Sequence, residues 1–397
     1  MTTGLRTPDL ADALRAAVRP HATVALGDGV GALRCLDDGS SIGAMLSAVA
    51  REVGSVRLLL GWLPAPLEGL DAAAFSEVAA LMPGWGVRDV LRTPTARFVP
   101  TRLSVIGALL TGPLRPDLLI TRLVERDGNL HFATEVSWQR ELVDAGVPVL
   151  AIIDATAPMA SALPALDPGQ VRVIGHSADG PTRLPPKAPQ EIHHALAESV
   201  LRFVPPGTRL QYGPGQLGTA LLSGLTVPVH LDTGLLTDAV VDLEDRGLMA
   251  TTPSATYLMG SDVLYEWADG KAILRGIDYT HDLTRLSRGA PLIAVNTAIE
   301  IDHYGQVNVE GVGDKVVGGI GGHPDYCAAG AMSRGGLSII AVPSETNGRS
   351  PLVQHLSRPA STPAHDVDVI VTESGHADLR GAGWSQRRRL ITELLSS

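Results

Sequence analysis

The chain has 397 residues, 45% hydrophobic and 19% charged, which allows more than one buried core and excludes a globally disordered chain. Its 42 acidic against 32 basic residues give a formal net charge of -10, which argues against a nucleic-acid partner held by general electrostatics. The two cysteines, Cys35 and Cys327, lie far apart and outside any metal-ligand spacing, so neither a disulfide framework nor a metal site is expected.

The N-terminal stretch MTTGLRTPDLADALRAAVRP has no apolar segment ahead of a cleavage site, and no apolar run reaches the ~20 residues of a membrane span. The expectation is a cytoplasmic protein without membrane contact. Short β-branched runs then recur along the chain: ATVAL, SVRLLLGW, DLLITRLV, VPVLAIID and VRVIGH in the first half, APLIAVN, LSIIAVPS and VDVIVTE in the second. Between several of them stand segments of helical period, such as SSIGAMLSAVAREVG and APQEIHHALAESVLRFV. Strands alternating with helices predict an α/β fold with mainly parallel sheets. Prolines cluster from Asp179 to Glu191, where the apolar period lapses, so a boundary there predicts two domains, 1–185 and 190–397. Near the C-terminus SQRRRLITELLSS reads as a helix whose arginines, Arg387 to Arg389, face solvent.

Three glycine-rich turns follow apolar runs: ALGDGVGAL, LQYGPGQLGTALL and GGIGGHPDY. The first approaches a dinucleotide fingerprint but lacks its third glycine at the required offset and an acidic partner strand. The second, with Gly213 and Gly215, and the third, with Gly319, Gly321 and Gly322, each precede an apolar helix, so their amides can converge on an anion or a carbonyl oxygen. A tight strand-to-helix turn that holds nothing is the other reading of the same pattern.

LQYGPGQLGTALLSGL, TGLLTDAVVDL, AVNTAIEIDHYGQVNVE, VVGGIGGHPDYCAAGAMSRGGLSIIAVPS and PAHDVDVIVTESGHADLRG stand in an order and spacing that resemble the acetyl-CoA hydrolase/transferase family. LITRLVERDGNLHFATEVSW and AGVPVLAIIDATAP extend the resemblance, more loosely, into the first half. It implies two class I CoA-transferase-like α/β domains with the site between them, acyl-CoA as substrate, coenzyme A as the bound group, no metal and a homodimer. In that family a glutamate attacks the acyl-CoA carbonyl and passes through a glutamyl-CoA thioester, covalent catalysis that divides one hard exchange into easier steps. The resemblance further implies that amides of the GGIGG turn stabilise the oxyanion, and that Asn296 holds the CoA arm or polarises the thioester.

The family's glutamate falls, in this chain, within Asp232-Thr233-Gly234-Leu235-Leu236-Thr237-Asp238, and Gly234 occupies its place. Glycine cannot form the acyl anhydride or the thioester. Water attacking the acyl group, with a neighbouring base, is the expected replacement, and the candidates are Glu300 and His303, then Asp232 and His230. Glu300 and Asp302 alternate with Ile301 and share one strand face; both are also open to a structural role. His323, directly after the turn, is a second departure from the family pattern and a candidate acid or base, or a packing residue. Cys327 reads as a small core residue. Three functions therefore stand open: a hydrolase acting at the thioester or at a carbon-carbon bond of a β-keto acyl chain, a transferase using another acid, and a CoA-binding or partner-binding protein without turnover.

Overall fold

The computed structural model describes residues 7–396. Every β-branched run named above becomes a strand, and the strands fall into two principal sheets. The first has eight strands, ordered Ala96–Phe98, Glu77–Ala80, Arg57–Leu60, Thr23–Leu26, Leu118–Arg126, Val149–Asp154 and Val171–Ser177, with Asn129–His131 folded back on Leu118–Arg126. All its pairings are parallel except that last hairpin. Central parallel strands are covered on both faces, which is why Val149–Asp154 is apolar almost throughout and buried at every position.

The second sheet has six strands, ordered His230–Leu231, Arg209–Tyr212, Leu292–Asn296, Leu337–Ala341, Val369–Val371 and His376–Asp378, the last antiparallel. From Arg209–Tyr212 the chain crosses by the helix Gln216–Gly224 to one side of the sheet; from Leu292–Asn296 it crosses by the helix His323–Met332 to the other. The alternation of the central strand records this. Ile293 and Val295 pack with Ala220 and Leu221 of the first helix, whereas Leu292 and Ala294 pack with Tyr326 and Ala329 of the second. Adjacent strands whose crossovers diverge leave a crevice beyond their carboxyl ends, the place where open α/β sheets hold ligands.

Residues 178–190 contain no helix or strand and lie between the two sheets in sequence. The halves nevertheless share one core, since Leu119, Leu123, Trp138 and Ala151 belong to the same hydrophobic cluster as Leu210, Val295 and Ile339. The segment 255–277 returns to the first half: Val136 N donates to Thr256 O (3.1 Å), Leu258 N to Thr134 O (2.9 Å) and Ile277 N to Ser137 O (3.0 Å).

The C-terminal helix, Trp384–Leu395, departs from its expected solvent-facing arginines. Arg387 is buried and its guanidinium donates to the carbonyls of Ala364 (2.6 Å), Val367 (3.2 Å) and Leu379 (3.3 Å), binding the helix to the loops beside the last two strands; Arg388 and Arg389 remain exposed. The sequence pattern could not separate them, because one residue of rotation on a helix turns a side chain by about 100°.

Candidate active site

A cavity of about 370 Å³ opens at the crevice between Arg209–Tyr212 and Leu292–Asn296. Gln211, Tyr212, Gly213 and Pro214 form one wall, Val295, Asn296 and Thr297 the next, and the turn Gly318–His323 the third. The first half of the chain closes it with Trp62, Met82, Trp85 and Leu103. Among the described residues its lining includes no aspartate and no glutamate.

The turn is shaped by close approach. A β-carbon on Gly319 would overlap Met82 Sδ, and Gly321 has φ +60, which a glycine takes without strain. Leu103 N donates to Gly321 O (3.0 Å), and Ser104 donates through N (3.1 Å) and Oγ (2.6 Å) to Asp325, so the helix Leu103–Leu110 latches the turn and the helix behind it. Burial pushes the Asp325 carboxyl up to about 6, against the bonds from Ser104. Val317 and Gly318 spend their amides on Glu310 O; the amides of Gly319, Ile320, Gly321 and Gly322 donate to no protein acceptor among the described residues. Four unpaired donors in one turn at a helix N-terminus can receive a developing oxyanion.

Gly234 lies in the same wall. Its carbonyl accepts from Thr256 N (3.1 Å) and Tyr257 N (3.2 Å), which fixes the backbone where the short strands Leu235–Leu236 and Tyr257–Leu258 pair. Between Gly234 and Gly322 stands a side chain that sequence reasoning missed, His281. A β-carbon at 234 would come 3.2 Å from His281 Nε2, and one at 322 would overlap that same atom. Tyr326 packs edge-on against the imidazole, its ring centroid 5.0 Å away. The space beside the turn that an attacking side chain at 234 would enter is thus bordered by a ring nitrogen.

Thr280 Oγ1 stands within hydrogen-bond reach of Gly276 O (3.1 Å) and of His281 Nδ1 (2.9 Å), and its one proton can serve either. Nε2 is buried with no partner among the described residues. Burial, helped by the Arg285 charge, lowers the imidazole pKa to about 3, so the ring is neutral at physiological pH.

Of the sequence candidates, the structure brings Gly234, Asn296, His323, Gly213, Gly319, Gly321 and Gly322 to the cavity and leaves Glu300 and Gly215 outside its lining. Glu300 is occupied: its Oε2 accepts from Asn308 Nδ2 (2.7 Å), Ser357 N (2.9 Å) and Ser357 Oγ (3.0 Å), which pins the loop beyond it. Gly215 serves the turn backbone, at φ +112. The other candidate bases are likewise engaged away from the cavity. Asp232 holds Arg285 through both oxygens (2.8 and 2.9 Å) and Arg209 (3.3 Å), His303 pairs with Thr392 (3.1 Å), and His230 with Thr251 (3.0 Å).

His323 lines the cavity with both nitrogens used. Nε2–H donates to Thr297 O (2.9 Å), leaving Nδ1 to accept from Thr362 Oγ1 (2.7 Å). The ring therefore staples the turn to the neighbouring strand end. Asn296 exchanges amide bonds with Gln211 (3.1 and 3.3 Å) across adjacent strands, and its Nδ2 also faces Cys327 Sγ at 3.6 Å. Cys327 is fully buried, and burial raises its thiol pKa to about 12, so it is no nucleophile at neutral pH.

The first glycine turn holds a carboxylate of its own chain. Gly31 N (2.9 Å) and Thr134 Oγ1 (2.8 Å) donate to Glu135 Oε2, and β-carbons at Gly29 or Gly31 would strike that side chain. A dinucleotide phosphate has no room there. Beside it Asp28 Oδ2 accepts from Trp138 Nε1 (3.0 Å) and Tyr257 OH (2.8 Å). Burial is the main cause that raises both acids, Asp28 to about 6 and Glu135 to about 7.

His281 was missed because GIDYTHDLTRLS carries neither helical nor strand period and no metal or triad spacing; only folding brings it between residues 234 and 322. No helix of the described residues is long and apolar enough to cross a membrane, and they contain no cluster of three or more His, Cys, Asp or Glu able to hold a metal.

Residues 260–395 match the acetyl-CoA hydrolase/transferase C-terminal domain. The chain is 24% identical over 336 residues to a 4-hydroxybutyrate coenzyme A transferase of Clostridium kluyveri, covering 79% of this chain and 78% of that protein. It is 28% identical over 259 residues to an acetyl-CoA hydrolase of Candida albicans, covering 58% of this chain and 48% of that one. The structure of RipA from Yersinia pestis superposes with a TM-score of 0.86 at 20% identity over 98% of this chain and 94% of the other, which speaks for a common fold. The α/β architecture, the order of the motifs and these similarities agree: the chain is similar to the acetyl-CoA hydrolase/transferase family, and its residues 260–395 match that family's C-terminal domain.

Proposed function

We propose that the protein binds an acyl-CoA in the cavity between its two halves and cleaves it with water. The observation that carries this reading is the pairing of four unpaired turn amides with Gly234 in a wall that holds no carboxylate. The amides supply the oxyanion site that acyl transfer needs, each such donor worth roughly 3 kcal/mol when preorganised in a dry pocket. The glycine removes the covalent carrier, and with it the route by which CoA reaches an acceptor acid.

The relatives named as CoA transferases and acetyl-CoA hydrolases support acyl-CoA as the substrate class. A transferase using another acid lacks support from the cavity lining, since Glu300 and Asp232 are spent elsewhere. The side chains that converge from both halves, Trp62, Met82, Leu103, Leu235, Met259 and Val309, favour an apolar acyl chain over a charged one.

The test is release of free thiol from short, long and cyclic acyl-CoAs, with and without acetate or succinate. Thiol release without an acceptor is the expected result. Strict dependence on an acceptor acid replaces this reading with transfer, and tight CoA binding without turnover replaces it with a binding protein.

A further inference from the structure

We propose that His281 is the group that takes the proton from the attacking water; the assignment rests on the hydrolytic reading above. Three observations converge on it. The imidazole is almost fully buried, at 1% exposure, yet lines the cavity. Its Nε2 is an acceptor in the tautomer that the proposal assigns, with Thr280 Oγ1 receiving the Nδ1 proton and giving its own to Gly276 O. That nitrogen has no protein partner among the described residues and stands between Gly234 and Gly322, the last of the unpaired turn amides. Buried acceptors without a donor are rare and costly, and they mark positions kept for a ligand or a reacting atom.

The other ionisable groups of the neighbourhood do not compete for the role. His323 has both nitrogens bonded, Tyr326 gives its hydroxyl proton to Thr280 O (2.9 Å), and burial raises its pKa well above the ordinary phenol value. Tyr257 gives its proton to Asp28 or Ser137, each at 2.8 Å. Burial and the Arg285 charge both oppose an imidazolium, so the proton rests on the ring only in passing, while the oxyanion stands at the turn amides; Arg285 itself is held by Asp232 through both oxygens.

The chemistry balances on these groups. A water held at Nε2 forms the new C–O bond to the acyl carbon as its proton passes to Nε2, and the carbonyl electron pair moves onto the oxygen facing the turn amides. Nδ1–H bonded to Thr280 stabilises the imidazolium while it lasts. When the tetrahedral species collapses the C–S bond breaks, and the proton on Nε2 goes to the departing sulfur. The products are the carboxylic acid and CoA thiol, with no oxidant or second substrate needed.

The experiment compares wild type with His281→Ala and His281→Gln, the second filling the ring's volume should the first not fold. It reads kcat, KM and CoA affinity on the best acyl-CoA of the panel. General-base loss predicts a fall in kcat of about 100-fold or more, with KM and CoA affinity within about threefold, and partial recovery of His281→Ala by added imidazole. A folded, CoA-binding variant with kcat within about threefold of wild type overturns the assignment while leaving hydrolysis standing. A wild type that releases no thiol from any acyl-CoA overturns the hydrolytic reading, and the assignment with it.

Discussion

His281 Nε2 lies 3.2 Å from the point where a β-carbon on Gly234 would stand, closer than a carbon in that position ordinarily approaches a neighbour. The glycine and the histidine therefore belong together: any side chain at 234 needs the imidazole to give by a few tenths of an ångström, and Tyr326 and Thr280 hold that ring in place. Gly234→Glu alone is expected to lose stability and gain little transfer activity. Gly234→Glu with His281→Ala is expected to restore acyl transfer to an acceptor acid. Borohydride reduction of the acyl-CoA-treated double variant, followed by peptide mass analysis, should mark residue 234; an unmarked variant that still binds CoA would place the reacting centre elsewhere.

Acid stability should carry the signature of the same histidine. The native ring stays neutral down to about pH 3, whereas the unfolded ring takes a proton near its ordinary 6.5. The unfolded state then binds more protons between these values, so this group's contribution is complete above pH 6.5 and is lost as pH falls toward 3. Melting temperature against pH for wild type and His281→Gln should show a shallower acid limb in the variant. Identical limbs would mean that the native ring titrates normally.

The acids under the first glycine turn act with opposite sign. Glu135 titrates near 7 in the fold against 4.5 ordinarily, and Asp28 near 6 against 3.8, so the native state keeps protons that the unfolded state gives up. Their contribution is complete below about pH 4 and is lost as pH rises through 6 to 7. Glu135→Gln, which stays uncharged, should lose less melting temperature than wild type between pH 5 and pH 8. A steeper loss in the variant would refute the buried, protonated carboxyl.

The glycines of the turn should differ sharply on substitution. Gly318 has open space where a β-carbon would stand, and Gly318→Ala should change stability by no more than about 0.5 kcal/mol. Gly319→Ala must move Met82 and Pro83, and Gly322→Ala must move His281, so each should cost about 1–3 kcal/mol by overpacking. If His281 takes the proton as proposed, Gly322→Ala should in addition lower kcat, since it displaces the imidazole. Chemical denaturation of the three variants checks the order.

Asn296 and Gln211 form a reciprocal buried amide pair, so Asn296→Ala strands the Gln211 amide and should destabilise by about 1–3 kcal/mol, as should Gln211→Ala. If Asn296 also meets the CoA arm, its variant should lose more kcat/KM than the Gln211 variant of equal stability. Equal activity losses would confine Asn296 to the wall.

The strands and the main helices were legible because each rests on local chemistry: a buried parallel strand must be a run such as VLAIID, and a surface helix must repeat its apolar residues as Ile42–Val53 does. The glycine turns and the glycine at 234 were legible for the same reason, since a residue's identity and its neighbours in sequence settle what chemistry it can carry. Which of those residues meet was decided by the tertiary structure. Glu300 and Asn296 stand four residues apart, yet the strand end sends one into a loop anchor and the other to the cavity wall. His281, with no motif around it, is carried between Gly234 and Gly322 by a segment that first returns to the opposite half of the chain. Period and composition report how a side chain is buried relative to its own element; the direction of an orphaned nitrogen depends on partners more than forty residues away, and only packing supplies them.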